Sequence, residues 1–198
     1  MPNSLQDTIL YWDHIAWYYV NIQWRTPLLD MVMPFLRNQW FWVPVYFFFA
    51  VFMPYKYGRK GAMWCLLFFI SFIISDQVSA ALLKPIFHRL RPCNNPALSD
   101  IIHIIVPCGS GYSFPSSHAA NHFSISVFTG ITLGRYYKWV WPVVILWAAV
   151  VCYAQVYVGV HYPLDVTVGA CIGICAGTLT GKLFNRYFDL RSKPLEGQ

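Results

Sequence analysis

Three short polar clusters stand at the edges of long apolar runs: residues 84–92 (KPIFHRLRP), 114–118 (FPSSH) and 161–165 (HYPLD). Together they hold the cations Lys84, Arg89 and Arg91, the imidazoles of His88, His118 and His161, the carboxylate of Asp165 and the hydroxyls of Ser116 and Ser117. That is the inventory needed to grip a phosphate, attack it and protonate the group that leaves.

Each cluster has its own chemistry. Lys84 and Arg91 lie seven residues apart, so a helical continuation puts them two turns apart on one face, with Pro92 ending the helix. Two cations near one point bind a phosphate, Arg as a fork and Lys as a point charge; the plainer reading is a pair of interfacial cations reaching for headgroups. Pro115 suits the first turn of a helix, whose free N–H groups and dipole favour an anion. Ser116 and Ser117 add donors, and His118 stands where a proton can be given or taken; the plainer reading is a cap on a membrane helix. His161 and Asp165 are four residues apart around Pro163. The carboxylate can hold one imidazole nitrogen and leave the other as a nucleophile, or the pair is a salt bridge at a helix start.

The elements that must carry these clusters read as membrane helices. The 198 residues are 57% hydrophobic, 19% aromatic and only 11% charged, against roughly 25% charged in a soluble domain. A bilayer-spanning helix needs about 20 mostly apolar residues. Spans are expected at 40–53, 63–83, 119–133, 139–157 and 164–184; residues 5–24, which carry Asp7, Asp13 and His14, can span the bilayer or lie flat along the interface, and spanning, as a sixth helix, is the favoured expectation. The fold class is therefore all-α: a polytopic membrane helical bundle of about six transmembrane helices, in a single domain over 1–198. Residues 1–10 hold no Lys or Arg, so no cleavable signal peptide is expected.

With six spans and the N-terminus inside, the inner connections carry Lys56, Arg59, Lys60, Arg135, Lys138, Lys182, Arg186, Arg191 and Lys193, nine of the fourteen Lys and Arg. Arg25, Arg37, Lys84, Arg89 and Arg91 fall outside. This agrees with the positive-inside rule and places all three clusters on the non-cytoplasmic side. The net charge of +6 then needs no nucleic acid partner. Cys93 and Cys108 share the long outer loop 85–113, in an oxidising compartment, and are expected to form a disulfide. Residues 25–38 read as a short surface helix. Asp76, an acid inside a span, is read as structural, hydrogen-bonding a neighbouring helix or pairing with a cation.

In combination the clusters resemble the type 2 phosphatidic acid phosphatases, integral membrane lipid phosphatases related to the vanadium haloperoxidases. That family's pattern is Lys-x6-Arg-Pro, then Pro-Ser-Gly-His, then Ser-Arg-x5-His-x3-Asp. Here stand Lys84, Arg91 and Pro92; Pro115, Ser116, Ser117 and His118; and His161 and Asp165. The resemblance implies that His161 attacks phosphorus, Asp165 holds His161, and His118 protonates the leaving oxygen and then activates water. It further implies that Lys84, Arg91, Ser116 and the backbone at Ser117 hold the phosphoryl oxygens, with no metal or cofactor.

Two positions depart from the pattern. Ser117 replaces a glycine, and Ala154–Gln155 replaces Ser-Arg, so a neutral amide stands for a phosphate-binding cation. Gln155 still donates hydrogen bonds, and Arg89, or else His88, is expected to supply the missing charge. The resemblance points to a lipid phosphate or diphosphate as substrate: undecaprenyl diphosphate first, then phosphatidylglycerol phosphate, phosphatidic acid or a lipid A phosphate. The expected location is a bacterial inner membrane, with the site facing the periplasm or exterior. Three alternatives stay open. A lipid phosphotransferase would use the same phosphohistidine, a metal-dependent hydrolase would use His118, His122, His161 and Asp165, and a non-catalytic protein would retain only the scaffold.

Overall fold

The computed structural model describes residues 4–190; Arg191 and Lys193, assigned above to the inner face, lie outside them. The described chain is helical throughout its regular parts. It contains α1 (Leu5–Tyr18, prolonged by a π turn to Gln23), α2 (Pro27–Arg37), α3 (Val43–Asp76), α4 (Lys84–Phe87), α5 (Ser117–Leu133), α6 (Val140–Tyr157) and α7 (Pro163–Tyr187). Among the described residues three segments can cross a membrane by length and composition: Gln39–Leu98, Val140–Tyr157 and Pro163–Tyr187.

The first of these folds back on itself. Gly58 has φ 54° and ψ −131° inside α3, a left-handed value that favours glycine. The two limbs meet there: Phe49 packs on Trp64 with centroids 5.6 Å apart, and Cys65 Sγ lies 3.6 Å from the Phe49 carbonyl. The limbs correspond to the expected spans 40–53 and 63–83.

The centre of the bundle is α5 against α7. Gly169, Gly173 and Gly177 recur every four residues, and a Cβ on any of them would collide with the carbonyls of Ser116, Ala120 and Ser124 respectively. Small residues at this spacing let two membrane helices approach to backbone contact. The second limb of α3 is tied to α5 by a polar ladder: Trp64 Nε1 donates to Thr132 Oγ1 at 2.8 Å, Ser124 Oγ to the Ser71 carbonyl at 2.9 Å, and Ser75 Oγ to Asn121 Oδ1 at 2.7 Å. Asn121 Nδ2 in turn donates to Asp76 Oδ1 at 2.9 Å, so Asp76 does hydrogen-bond a neighbouring helix. Trp64, Phe128 and Phe184 close the core toward the other end.

The N-termini of α5 and α7 and the C-terminus of α6 lie at one end of the bundle. Lys56, Arg59 and Lys60 at the α3 turn, Arg135 and Lys138 between α5 and α6, and Lys182 and Arg186 late in α7 lie toward the opposite end.

Three local expectations are corrected. Residues 5–24 do not run through the bundle. Leu5, Gln6 and Ile9 line a cavity with Phe87, Leu90 and Leu164, while Trp17 packs on Tyr162, so α1 lies across the polar end. The reason is Asp13, which is buried in hydrogen bonds to Arg89 and to the Leu164 N–H. Lys84 and Arg91 do not share a helix face, because α4 stops at Phe87 and His88 turns left-handed at φ 49°. Pro115 precedes helix α5 instead of opening it; Ser116 is the cap, its Oγ accepting from the Ala119 N–H at 3.4 Å.

Candidate functional site

The site forms where three chain breaks converge. After α6 the backbone takes Gly159 at φ 82°, which lets the chain reverse within three residues and present His161 before α7 begins at Pro163. Asp165 sits in the first turn of α7 and caps it, Oδ2 accepting the Tyr162 N–H at 2.9 Å. The same oxygen lies 3.4 Å from His161 Nδ1. The other ring nitrogen, Nε2, faces Arg91 Nη1 at 3.5 Å. His161 is 1% exposed. Burial pushes its imidazole down to about 4, with Arg91 and Lys84 acting in the same direction and Asp165 opposing them.

The first cluster arrives on a pinned loop. Ser113 donates its N–H to the Arg89 carbonyl at 2.8 Å and its hydroxyl to the Leu90 carbonyl at 3.1 Å. The Cys93 N–H donates to Gly159 O at 3.0 Å, and Cys93 is joined to Cys108 by a disulfide with Cα atoms 5.9 Å apart. Arg91 is thereby held over the α6–α7 turn, donating also to the Gly111 and Val160 carbonyls. Lys84 lies within electrostatic reach of Arg91 and Asp165.

The second cluster faces these residues from α5. Arg37, Lys84 and His161 are all within electrostatic reach of His118. Ser116 N–H donates to the Asp165 carbonyl at 2.9 Å, which fixes the start of α5 to the first turn of α7. Ser117 Oγ is buried with no hydrogen-bond partner among the described residues, and so is Gln155 Nε2. His122 lies one turn on from His118: its Nδ1 pairs with the His118 carbonyl at 2.9 Å and its ring packs on Trp147. Among the described residues no group of three His, Cys, Asp or Glu side chains gathers as metal ligands.

Lys84, Arg91, Ser116, Ser117, His118, Gln155, His161 and Asp165 thus come to one end of the bundle. Arg89 does not stand with the free cations. Its Nη1 pairs with Asp165 Oδ1 at 2.7 Å, its Nη2 with Asp13 Oδ2 at 2.5 Å, and its guanidinium lies 4.0 Å over the Tyr162 ring. Two carboxylates hold it, so it is not available to replace the cation missing at Gln155. His88 instead packs edge-on against Tyr112 at the exposed loop.

Sequence reasoning missed the residues that brace this site from outside the motifs. Asp13 links α1 to Arg89 and α7. Asn21 donates to the Tyr157 and His103 carbonyls and accepts the His103 N–H. Asp30 on α2 accepts from Tyr157 Oη at 2.7 Å and pairs with His103 Nε2 at 3.1 Å. Burial works to raise the Asp30 carboxyl, but these two hydrogen bonds, with the nearby charges of His103 and Arg25, hold it below the usual range. Polar residues in an aromatic, half-apolar stretch were the available signal.

A sequence model described as the PAP2 superfamily matches residues 62–189. The chain belongs to the PAP2 superfamily. Curated PAP2 relatives include lipid A 4′-phosphatase of Porphyromonas gingivalis, 34% identical over 72% of this chain and 61% of that protein. Undecaprenyl-diphosphatase of Sulfolobus acidocaldarius is 34% identical over 71% of this chain and 64% of that protein. The chain spans less than two thirds of the length of either relative. Among solved structures, Aquifex aeolicus LpxE matches with a TM-score of 0.66 at 28% identity, covering 84% of this chain and 93% of that one. The PAP2-type phosphatidylglycerolphosphate phosphatase of Bacillus subtilis matches with 0.72 at 22% identity, covering 93% and 90%; at that identity the likeness concerns the fold. The all-α membrane bundle read from the sequence is therefore the PAP2 phosphatase fold.

Proposed function

We propose that this chain is a membrane phosphatase that hydrolyses a phosphomonoester or diphosphate of a lipid through a phosphohistidine on His161. The observation that carries this reading is the buried imidazole of His161, held at Nδ1 by Asp165 and facing a guanidinium at Nε2. A neutral ring so placed has its Nε2 lone pair directed at whatever anion Arg91 binds.

The steps follow. Nε2 attacks phosphorus, the bond from phosphorus to the lipid oxygen breaks, and His118 gives that oxygen its proton. His118 then takes a proton from water, the hydroxide attacks phosphorus, the P–N bond breaks and inorganic phosphate leaves. Lys84 and Arg91 stabilise charge on the equatorial oxygens, where pre-placed cations act most strongly. Ser117 Oγ and the N–H groups opening α5 are further donors.

A lipid substrate is supported by the cleft of ≈ 420 Å³ that opens beside His118 and Ser117 and is walled by Trp40, Phe69 and Phe72. An alkyl chain packs on such aromatic walls while its phosphate stays at the polar end. The names of the relatives support a lipid A phosphate alongside undecaprenyl diphosphate; the basic residues at the opposite end support an active site on the non-cytoplasmic face.

The test is phosphate release by the purified protein in detergent from four lipids: undecaprenyl diphosphate, a lipid A phosphate, phosphatidylglycerol phosphate and phosphatidic acid. Release from at least one, abolished by His161→Ala, is the expected result. Turnover that survives His161→Ala overturns the phosphohistidine, and absence of turnover on all four overturns the lipid-phosphatase reading.

A further inference from the structure

We propose that Arg37, on the short helix α2, is the third phosphate-binding cation of this site, standing in for the arginine that the family motif would place at Gln155. The inference rests on the phosphatase reading above and adds a residue that no motif contains.

Gln155 is fully buried on α6, and its Oε1 accepts a hydrogen bond from Arg37 Nε at 3.3 Å. That bond orients the amide: the oxygen is turned to Arg37, and Nε2 keeps its two N–H groups without a partner. Among the described residues Arg37 makes no ion pair, and its two terminal guanidinium nitrogens have no hydrogen-bond acceptor. It is half-buried, and burial together with the nearby charge of Arg91 pushes its guanidinium below its ordinary value. An arginine remains charged regardless.

The charge distribution makes the same point. Arg89 is balanced by Asp13 and Asp165. Arg37, Lys84 and Arg91 are half-buried and, among the described residues, none is bonded to a carboxylate. Asp165 acts on Lys84 and Arg91 only from a distance, and Asp76 likewise on Lys84; partly desolvated cations with no carboxylate bonded to them are costly unless an anion joins them. A phosphoryl group does so, with Gln155 Nε2 as a further donor.

Helix α2 is built to hold Arg37 there. Thr26 caps it, and Pro27 opens it. Asp30 ties it to Tyr157 near the C-terminus of α6, the same helix that carries Gln155. The cation has moved from α6 to a neighbouring helix, and the glutamine left behind holds it.

The test uses purified full-length protein and two readouts: kcat/KM on a lipid phosphate, and inhibition by orthovanadate, a phosphate mimic. Arg37→Ala is expected to lower kcat/KM by about 10²-fold, the scale for removing one charge-stabilising donor, and to weaken vanadate inhibition at least about tenfold. Adding Gln155→Arg to Arg37→Ala is expected to recover most of both. Wild-type values for Arg37→Ala overturn the proposal. So does a loss that Gln155→Arg does not recover, because Arg37 would then act through something other than charge at this spot. If Arg37→Ala does not fold, Arg37→Gln paired with Gln155→Arg exchanges the two side chains: wild-type-like kcat/KM and vanadate inhibition support the proposal, and loss of both overturns it. A wild-type protein inactive on every lipid is a failure of the phosphatase reading alone. Vanadate-induced thermal stabilisation, lost in Arg37→Ala if the inference holds and retained if it does not, still decides the role of Arg37.

Discussion

Arg89 and Asp165 share a 2.7 Å ion pair on the carboxylate oxygen that His161 does not use. One oxygen of Asp165 serves the imidazole and the capped turn of α7; the other is neutralised from the loop. In the proposed reaction Arg89 thus acts through Asp165. Replacing it strands two buried carboxylates, Asp13 and Asp165. Arg89→Ala is expected to cost about 3–5 kcal/mol of stability, as for one partner of a buried pair, and to lower kcat. Folded Arg89→Ala is expected to keep its vanadate inhibition constant within about twofold, and Arg89→Lys to recover part of the stability. Melting curves and inhibition assays on the same preparations separate this from direct phosphate binding, which would raise the constant.

The proposed reaction makes His118 the proton carrier for the leaving oxygen. His118→Ala is expected to slow turnover by about 10²–10⁴-fold. The loss is smaller for a lipid diphosphate than for a monoester, because a phosphate leaves without the proton that an alkoxide needs. Equal losses on the two substrates would remove His118 from that role.

The pH dependence of stability carries a sign set by His161. Its folded pKa is lowered to about 4, against an ordinary value of about 6.5 in the unfolded chain. Between these values the unfolded chain binds the proton and the folded chain does not. Stability is therefore full above about 6.5 and is lost as pH falls toward about 4. The wild type is expected to lose more melting temperature than His161→Gln between pH 7 and pH 5. Parallel curves would mean the ring is not held neutral.

Gly173 is the point at which α7 meets the Ala120 carbonyl of α5. Gly173→Ala must displace backbone and not a flexible side chain. A cost of about 1–3 kcal/mol is expected, as for overpacking, together with lower activity, since the same contact sets His118 opposite His161. A variant with unchanged melting temperature and unchanged kcat would show that the helix pair can part without consequence.

Much of this protein is local and was readable as such. Apolar length marked the limbs of α3 and helices α5 to α7, because a bilayer imposes its thickness on any segment that crosses it. The clusters around Lys84, His118 and His161, and the pairing of Cys93 with Cys108, lay in short stretches whose residue types carry their own chemistry. The four-residue spacing of the glycines at 169, 173 and 177 is also in the chain, but that α5 is what packs against them came from the structure. Tertiary structure alone decided how the charges are partnered. Arg89 lies two residues from Arg91, yet it faces Asp13 and Asp165, each 76 residues away, while Arg37 meets Gln155 across 118 residues. A guanidinium pairs with whichever group packing brings within about 3 Å, and no periodicity in the chain records that distance. The same holds for α1: its apolarity suits a span, but the hydrogen bonds of buried Asp13 lay it across the polar end, beside the turn that presents His161.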